Sequence, residues 1–317
     1  MSNPFLRNLL KKIFYLPEPR TIQPDFFLDS EAKDFFCKNG YVVIKNSITD
    51  EAINIIEDTY KLLHTNPEFY EAAGFITTPN YGQKIQQEIC ENLTKVNNIV
   101  LPEIFDIEKC TYDFFSLLVM KFNKDDSYVL PHQDISMVDE SISNTTFLWI
   151  PTVDIDDQNG AILVLPGSHI WATWQKTHNR DITPLKKNHQ WLLKKMIPVF
   201  MKKGDVLLFD ASLIHGSLPN ISNKERIAMN TSVIPKGAQM VHYEKNPTTP
   251  KAMIEKYKID IAFWKNTEYI HSVAGKNNSV TVEPFIWEKQ LSKFNLNYLN
   301  NMYNPSINTK TQNASFL

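Results

Sequence analysis

From about residue 112 to residue 235 the chain is cut into short strand-favouring runs, each closed by a cluster of turn-forming residues. This rhythm narrows the fold more than any other feature. The runs are "FFSLLVMKF", "TTFLWIPTV", "AILVLP", "DVLLFDASLIH" and "RIAMNTSVIP", rich in β-branched and aromatic residues. "DIDDQNG", "PGSH", "KKGD" and "LPNISNKE" separate them, with the Gly, Pro, Asn and Asp that turns require. Several short strands with regular turns predict a β-sandwich or jelly roll. Glycine sharpens this. There are 9 in 317 residues, well under the usual roughly 7%, and Gly160, Gly167, Gly204 and Gly216 lie in this region. Each marks a need for positive φ or for close backbone approach.

The flanks are more helical. "SEAKDFFCKNG" reads as a short helix with Ser30 as N-cap and Asn39–Gly40 as its stop. "YVVIK" follows as a strand. "TDEAINIIEDTYKLLHTN" places Ala52, Ile55, Ile56, Tyr60 and Leu63 at helical spacing, the mark of an amphipathic helix. Residues 65–100 read as a loop and a further helix around "QQEICENL". A more helical insert, about 170–200, interrupts the strands with "WATWQKTHNR" and "NHQWLLKKM". Neither an internal repeat nor an interdomain linker is visible, which predicts one domain with helical decoration. Residues 1–24 form an N-terminal extension, with a short amphipathic helix over 5–15 clasping the domain. Residues 25–235 form the core. Residues 236–317 form a C-terminal extension packing on it, with a loose tail from about 305.

Composition removes several function classes. Hydrophobic content of 43% and charged content of 21% are ordinary for a soluble globular protein. A formal net charge of -2 offers no basic field for nucleic acid or an anionic membrane. No run approaches the ~20 apolar residues of a membrane span. The start, "MSNPFLRNLLKKIFYLPEPR", is interrupted by Arg7, Lys11 and Lys12 and does not read as a signal peptide. Cys37, Cys90 and Cys110 make no close-spaced pair, which predicts reduced thiols in the cytoplasm and no zinc ribbon or disulfide framework. Oligomeric state is left open.

Chemistry concentrates in three places. "LPHQDISM" sets His132 and Asp134 two positions apart, and on a strand such residues project from one face. A facial triad for Fe(II) needs two histidines and one carboxylate with positions left open. His215 is the best third ligand: it ends the apolar run "DVLLFDASLIHGS", whose alternation aims it inward, with Gly216 leaving room. Taken alone it reads equally as a satisfied core histidine. His169, in "PGSH", competes with it but sits in a turn context. Arg226 opens "RIAMNTSVI", the strand expected to pair beside the one carrying His215. An arginine aimed into a barrel needs a carboxylate, and a dicarboxylate ligand provides one. An edge-strand arginine paired with Glu225 or with solvent is the other reading.

"HQD", then "DDQNGAILVLPGSH", then "KKGDVLLFDASLIHGSLPNISNKERIA" together resemble the phytanoyl-CoA dioxygenase family of Fe(II)/2-oxoglutarate oxygenases. The upstream "FFCKNGYVVIKNSITDEAI" is similar to that family's usual entry, so the resemblance covers roughly 25–235. It implies a mainly β fold with helical decoration around a double-stranded β-helix (jelly-roll, cupin-like) core. It implies a dioxygenase using Fe(II), 2-oxoglutarate and O2, which hydroxylates a small-molecule or lipid-like substrate and releases succinate and CO2. His132, Asp134 and His215 match the family's iron ligands. Arg226 matches the residue gripping the distal carboxylate of 2-oxoglutarate. Ser217 and Trp149 resemble residues lining that pocket, although Trp149 also reads as plain core. Asn159 and Gly160 look like the turn before the next strand. Lys121 is a candidate, with no motif behind it, for a family lysine that touches 2-oxoglutarate. Because Asp134 is present, the resemblance favours hydroxylation over the halogenation of relatives that replace the carboxylate by a small residue.

The insert holds Trp171, Trp174 and Trp191 with Lys186–Lys187 and Lys194–Lys195. It reads either as a lid attracting an anionic group or as a solvated face. Two other functions stay open at this level. One is a jelly-roll binding protein with a triad but no turnover; the other is a cupin-like metalloenzyme that does not use 2-oxoglutarate.

Overall fold

The computed structural model describes residues 22, 24–66, 73–81, 83–171, 175–177, 185, 188–244, 253–266 and 280–284. The expected N-terminal helix over 5–15, Trp174, Lys186–Lys187 and the tail from 305 lie outside them. Three helices lead the fold: α1 (Ser30–Asn39), α2 (Asp50–His64) and α3 (Gln83–Ile104). Asp29, one residue before the expected Ser30, caps α1 by accepting from the Glu31 and Ala32 amides, and Gly40 closes it at φ 81. Thr49 caps α2. The helix expected around "QQEICENL" is much longer, because α3 runs through Asn97, Asn98 and Pro102, residues that obscure a helical pattern.

Two antiparallel sheets form the body. The larger orders its strands β1 (Tyr41–Ile44), β9 (Val206–Asp210), β6 (Thr146–Pro151), β11 (Arg226–Pro235), β4 (Ser116–Lys121) and β2 (Phe75–Thr77), with β3 (Cys110–Thr111) also on β11. The smaller orders β5 (Val129–His132), β10 (His215–Ser217), β7 (Ile162–Val164) and β8 (Ile197–Val199). Alternation sorts the side chains. Phe147, Trp149, Leu207, Phe209 and Ala228 of the larger sheet share one buried cluster with Ile162, Val164 and Val199 of the smaller. Leu148, Ile150, Leu208 and Met229 point the other way and pack with α1–α3. The smaller sheet's outer residue Leu163 packs with Leu185, Leu192 and Tyr243. The result is the expected jelly roll: mainly β, with the three long helices on the larger sheet's outer face and the short helix His189–Lys195 against the smaller sheet's.

Two details differ from expectation. "DVLLFDASLIH" is not one strand: β9 ends at Asp210 in the larger sheet and β10 begins at His215 in the smaller. The residues between turn the corner, with Leu213 N bonded to Asp210 O and Ser212 N to the Asp210 carboxylate. Consequently β11 does not pair with the strand carrying His215; it lies between β4 and β6 in the opposite sheet. Downstream, β12 (Val241–Glu244), β13 (Met253–Lys258) and β14 (Val280–Pro284) form a third sheet. A short helix, Ile261–Lys265, sends Phe263 and Trp264 into the inter-sheet core. No helix among the described residues is long and apolar enough to cross a membrane.

Candidate metal and co-substrate site

His132 ends β5 and His215 opens β10, and the antiparallel register sets them directly opposite each other. Their ring centroids lie 4.2 Å apart. Asp134 lies just past the end of β5 rather than on it, held by its amide donating to Ala211 O at 3.0 Å. Its two carboxylate oxygens each stand 3.7 Å from one imidazole Nε2, Oδ1 from His132 and Oδ2 from His215. One donor atom from each of the three residues falls within 4.8 Å of the others, the one such grouping of three or more His, Cys, Asp or Glu found among the described residues.

The imidazoles are oriented by their own backbone. His132 Nδ1 lies 2.9 Å from Leu130 O and His215 Nδ1 3.0 Å from Leu213 O. A carbonyl only accepts, so Nδ1 carries the proton and the Nε2 lone pair faces Asp134. Metal-ligating histidines are commonly fixed this way. Close pairing of β5 with β10 depends on Gly216, where a Cβ would stand 2.6 Å from Val129 O. Phe209 backs the site, its ring centroid 4.9 Å from that of His215. His169, the competing histidine, is fully buried elsewhere, its Nε2 3.0 Å from Cys37 O.

The other wall carries two buried basic side chains. Arg226 starts the inner face of β11 and is 1% exposed. Its Nε and Nη1 have no hydrogen-bond partner. Glu225, the alternative carboxylate partner in sequence, instead accepts from the Tyr60 hydroxyl. The Trp149 ring lies under the guanidinium, centroid to Cζ 5.0 Å, a cation–π contact. Burial pushes the Arg226 pKa down to about 9, so it stays charged at neutral pH. Its cross-strand partner is Lys121, also fully buried. Lys121 Nζ donates to Ser127 O at 2.6 Å and to Leu218 O. Burial first, and then the Arg226 charge, push the Lys121 pKa down to about 6.

Ser217 is buried on β10, opposite Val129 and Ile162. Gly160 has φ +86, and a Cβ there would stand 2.8 Å from Lys121 Cδ, so this turn residue also makes room for the lysine. Asn159 ties the same turn by accepting from the Asp156 amide at 3.0 Å and donating to Asp154 O at 2.6 Å. One further polar group of this wall belongs to no motif. Asn230 lies two inner-face steps beyond Arg226 and opposite Trp149, with Oδ1 buried and unbonded. Its only sequence signal is an amide inside an otherwise apolar strand run.

Two histidines and a carboxylate that could hold a metal ion thus lie at one wall of a jelly roll, with a buried arginine on the inner face of the other. The chain belongs to the phytanoyl-CoA dioxygenase family, whose sequence model matches residues 36–228. It is 31% identical over 109 residues to phytanoyl-CoA dioxygenase 1 of rice, 33% of this chain and 38% of that protein. It is 26% identical over 261 residues to a phytanoyl-CoA dioxygenase domain-containing homologue of Dictyostelium discoideum, 76% of this chain and 85% of that one. The first curated relatives, from rice and Arabidopsis, are thus matched over little more than a third of their length. Among solved structures, EvdO2 of Micromonospora carbonacea, complexed with 2-oxoglutarate, is 15% identical with a TM-score of 0.49, covering 72% of this chain and 97% of that one.

Proposed function

We propose that this chain is an Fe(II)- and 2-oxoglutarate-dependent dioxygenase that hydroxylates an unactivated C–H bond of a small or lipid-like molecule. One observation carries the reading: Arg226 is buried, charged and unpaired at Nε and Nη1, on the wall opposite the His132–Asp134–His215 cluster. A buried guanidinium without an anion is costly, and a dicarboxylate reaching from a metal to Arg226 removes that cost. Family membership supports the same choice.

The donor set fits the group. Two imidazole Nε2 atoms and one carboxylate suit a divalent iron and leave coordination positions open. When bound, Fe(II) with 2-oxoglutarate and O2 supplies the oxidising power, converting the co-substrate to succinate and CO2 as an oxygen atom enters a C–H bond. The protein's own work is placement. The Leu130 and Leu213 carbonyls hold both Nδ1 protons, so the ligands neither rotate nor change tautomer. Arg226 binds the distal carboxylate through its fork, with the Trp149 ring fixing the guanidinium plane. Ser217 lines the same space from β10. Lys121, its ammonium donors turned to the Ser127 and Leu218 carbonyls, sets the shape of this end more than its charge. Phe147, Phe209 and Leu207 keep the interior dry.

The test is anaerobic. Apo-protein loaded with Fe(II) and titrated with 2-oxoglutarate gives a visible metal-to-ligand charge-transfer band. Arg226→Ala keeps its iron and loses the band at the same co-substrate concentration. Bound iron without a band in the wild type rules the reading out in favour of a metal protein that does not use 2-oxoglutarate. A band with no succinate formed for any C–H substrate leaves a binding protein.

A further inference from the structure

The loop that follows Asp134 and the corner that precedes His215 are tied to each other through a lysine from the insert. Lys176 is 5% exposed. Its Nζ donates to Glu140 Oε2 and, at 2.8 Å, to Ser212 Oγ. The Ser212 hydroxyl in turn donates to the same Glu140 oxygen at 2.8 Å. Glu140 lies on the loop after the "HQD" ligands and Ser212 on the corner between β9 and His215, so one ammonium joins both ligand-bearing segments. The backbone reinforces it: Ser136 N donates to Lys176 O at 3.3 Å, and Lys176 N to Ser136 Oγ at 3.2 Å. Gln133, between the two ligands of the first motif, donates from Nε2 to Ser212 O.

A second lysine holds the same loop from outside. Asp139, adjacent to Glu140, accepts from Lys256 Nζ at 2.6 Å, and Lys256 lies on β13. The two neighbouring carboxylates thus each accept from a lysine outside the barrel, Glu140 from the insert and Asp139 from β13. The contacts differ in kind. Lys256 ties the loop to the third sheet, its Nζ lying also over the Tyr243 ring of β12, whereas Lys176 spans the loop and the corner carrying the other histidine.

We propose that Lys176 is a positioning residue for the metal centre, holding Asp134 and His215 at chelating separation through Glu140 and Ser212. This rests on the metal reading above. Leaving a buried carboxylate without its cation is strongly unfavourable, so removing the ammonium shifts the loop, the corner or both. That moves ligands on each side of the cluster, and metal affinity responds to shifts of a few tenths of an ångström.

The experiment uses the full chain and Co(II) as a spectroscopic probe, comparing Lys176→Met, Lys176→Arg and Lys256→Met. Lys176→Met is expected to weaken Co(II) binding at least ten-fold and to alter the visible d–d spectrum. Lys176→Arg restores most of the affinity. Lys256→Met loses thermal stability but keeps Co(II) affinity within three-fold and an unchanged spectrum. If Lys176→Met does not fold, Ser212→Ala replaces it, with a two- to five-fold loss of affinity and a shifted spectrum expected. The inference is overturned if the wild type binds Co(II) and Lys176→Met, or Ser212→Ala in its place, binds it with the same affinity and spectrum. Failure of the wild type to bind any divalent metal would instead sink the metal reading itself.

Discussion

The two walls of the sandwich handle buried polar groups in opposite ways. On the smaller sheet, His132 and His215 give their Nδ1 protons to carbonyls two residues back, and Asp134 lies against both Nε2 atoms. On the larger sheet two basic side chains sit side by side, Lys121 and Arg226. Lys121 is satisfied by carbonyls and pushed toward neutrality, while Arg226 keeps its charge with Nε and Nη1 unbonded. On the function proposed above, one wall receives a cation and the other an anion. A molecule that carries a carboxylate at each end and chelates through one of them suits both.

The largest expected effect comes from breaking the first wall. His132→Ala removes one of two imidazoles and leaves two donors where three stood, so Fe(II) retention after gel filtration is expected to fall to background. Metal analysis checks this, and stoichiometric iron in the variant would remove His132 from the site. Next comes the second wall. Arg226→Ala is expected to keep iron while raising the 2-oxoglutarate dissociation constant about a hundred-fold or more, about 2.7 kcal/mol, the scale of a lost charge-assisted bidentate pair. Titration of the charge-transfer band measures it, and unchanged affinity would dissolve the contrast between the walls.

A smaller effect sharpens the comparison through a turn. Gly160 and Gly237 both have left-handed backbone, at φ +86 and +77. Alanine at either is expected to cost roughly 1 kcal/mol for conformation alone. At Gly237 a Cβ would meet nothing within 4 Å, whereas at Gly160 it would meet Lys121 Cδ at 2.8 Å and Leu218 O at 3.1 Å. Lys121 is anchored at its tip and cannot swing away. Gly160→Ala is therefore expected to cost about 1–3 kcal/mol beyond Gly237→Ala, read from denaturant midpoints. Equal losses would show that Lys121 yields easily.

The two walls are unequally legible in sequence. The histidine–aspartate cluster is readable because its first two members share a three-residue motif and the third ends an apolar run. Even so, the local geometry differs: Asp134 lies beyond the strand, and the run bearing His215 is broken by a corner. Alternation within "VLLFDASLIH" looks the same whether the chain continues or crosses to the other sheet, since the Asp210 and Ser212 bonds that turn it are not encoded as Gly or Pro. That break also moves Arg226 to the opposite wall, where its strand pairs with β4 and β6. In the insert the paired lysines stand out in sequence, but among the described residues the buried lysine there is Lys176, in a polar stretch whose partners Glu140 and Ser212 are distant along the chain. Phe263 and Trp264 enter the core for a similar reason: nothing local distinguishes a helix that covers a barrel from one that plugs it.

The smallest effect is a slope, and it tests whether Lys121 and Arg226 truly differ. An ordinary lysine titrates near 10.5, and burial with the Arg226 charge moves Lys121 down to about 6. Between those values the unfolded chain holds a proton that the folded chain lacks, so this group makes stability rise with pH across that window. Lys121→Met keeps the length of the side chain and cannot titrate. The difference in Tm between wild type and variant is therefore expected to grow in the wild type's favour from pH 6.5 to 9. Parallel curves would mean that the Ser127 and Leu218 carbonyls keep the ammonium charged. Two adjacent cations would then face the interior, both would need the same anion, and Arg226→Ala alone would leave part of the 2-oxoglutarate affinity in place.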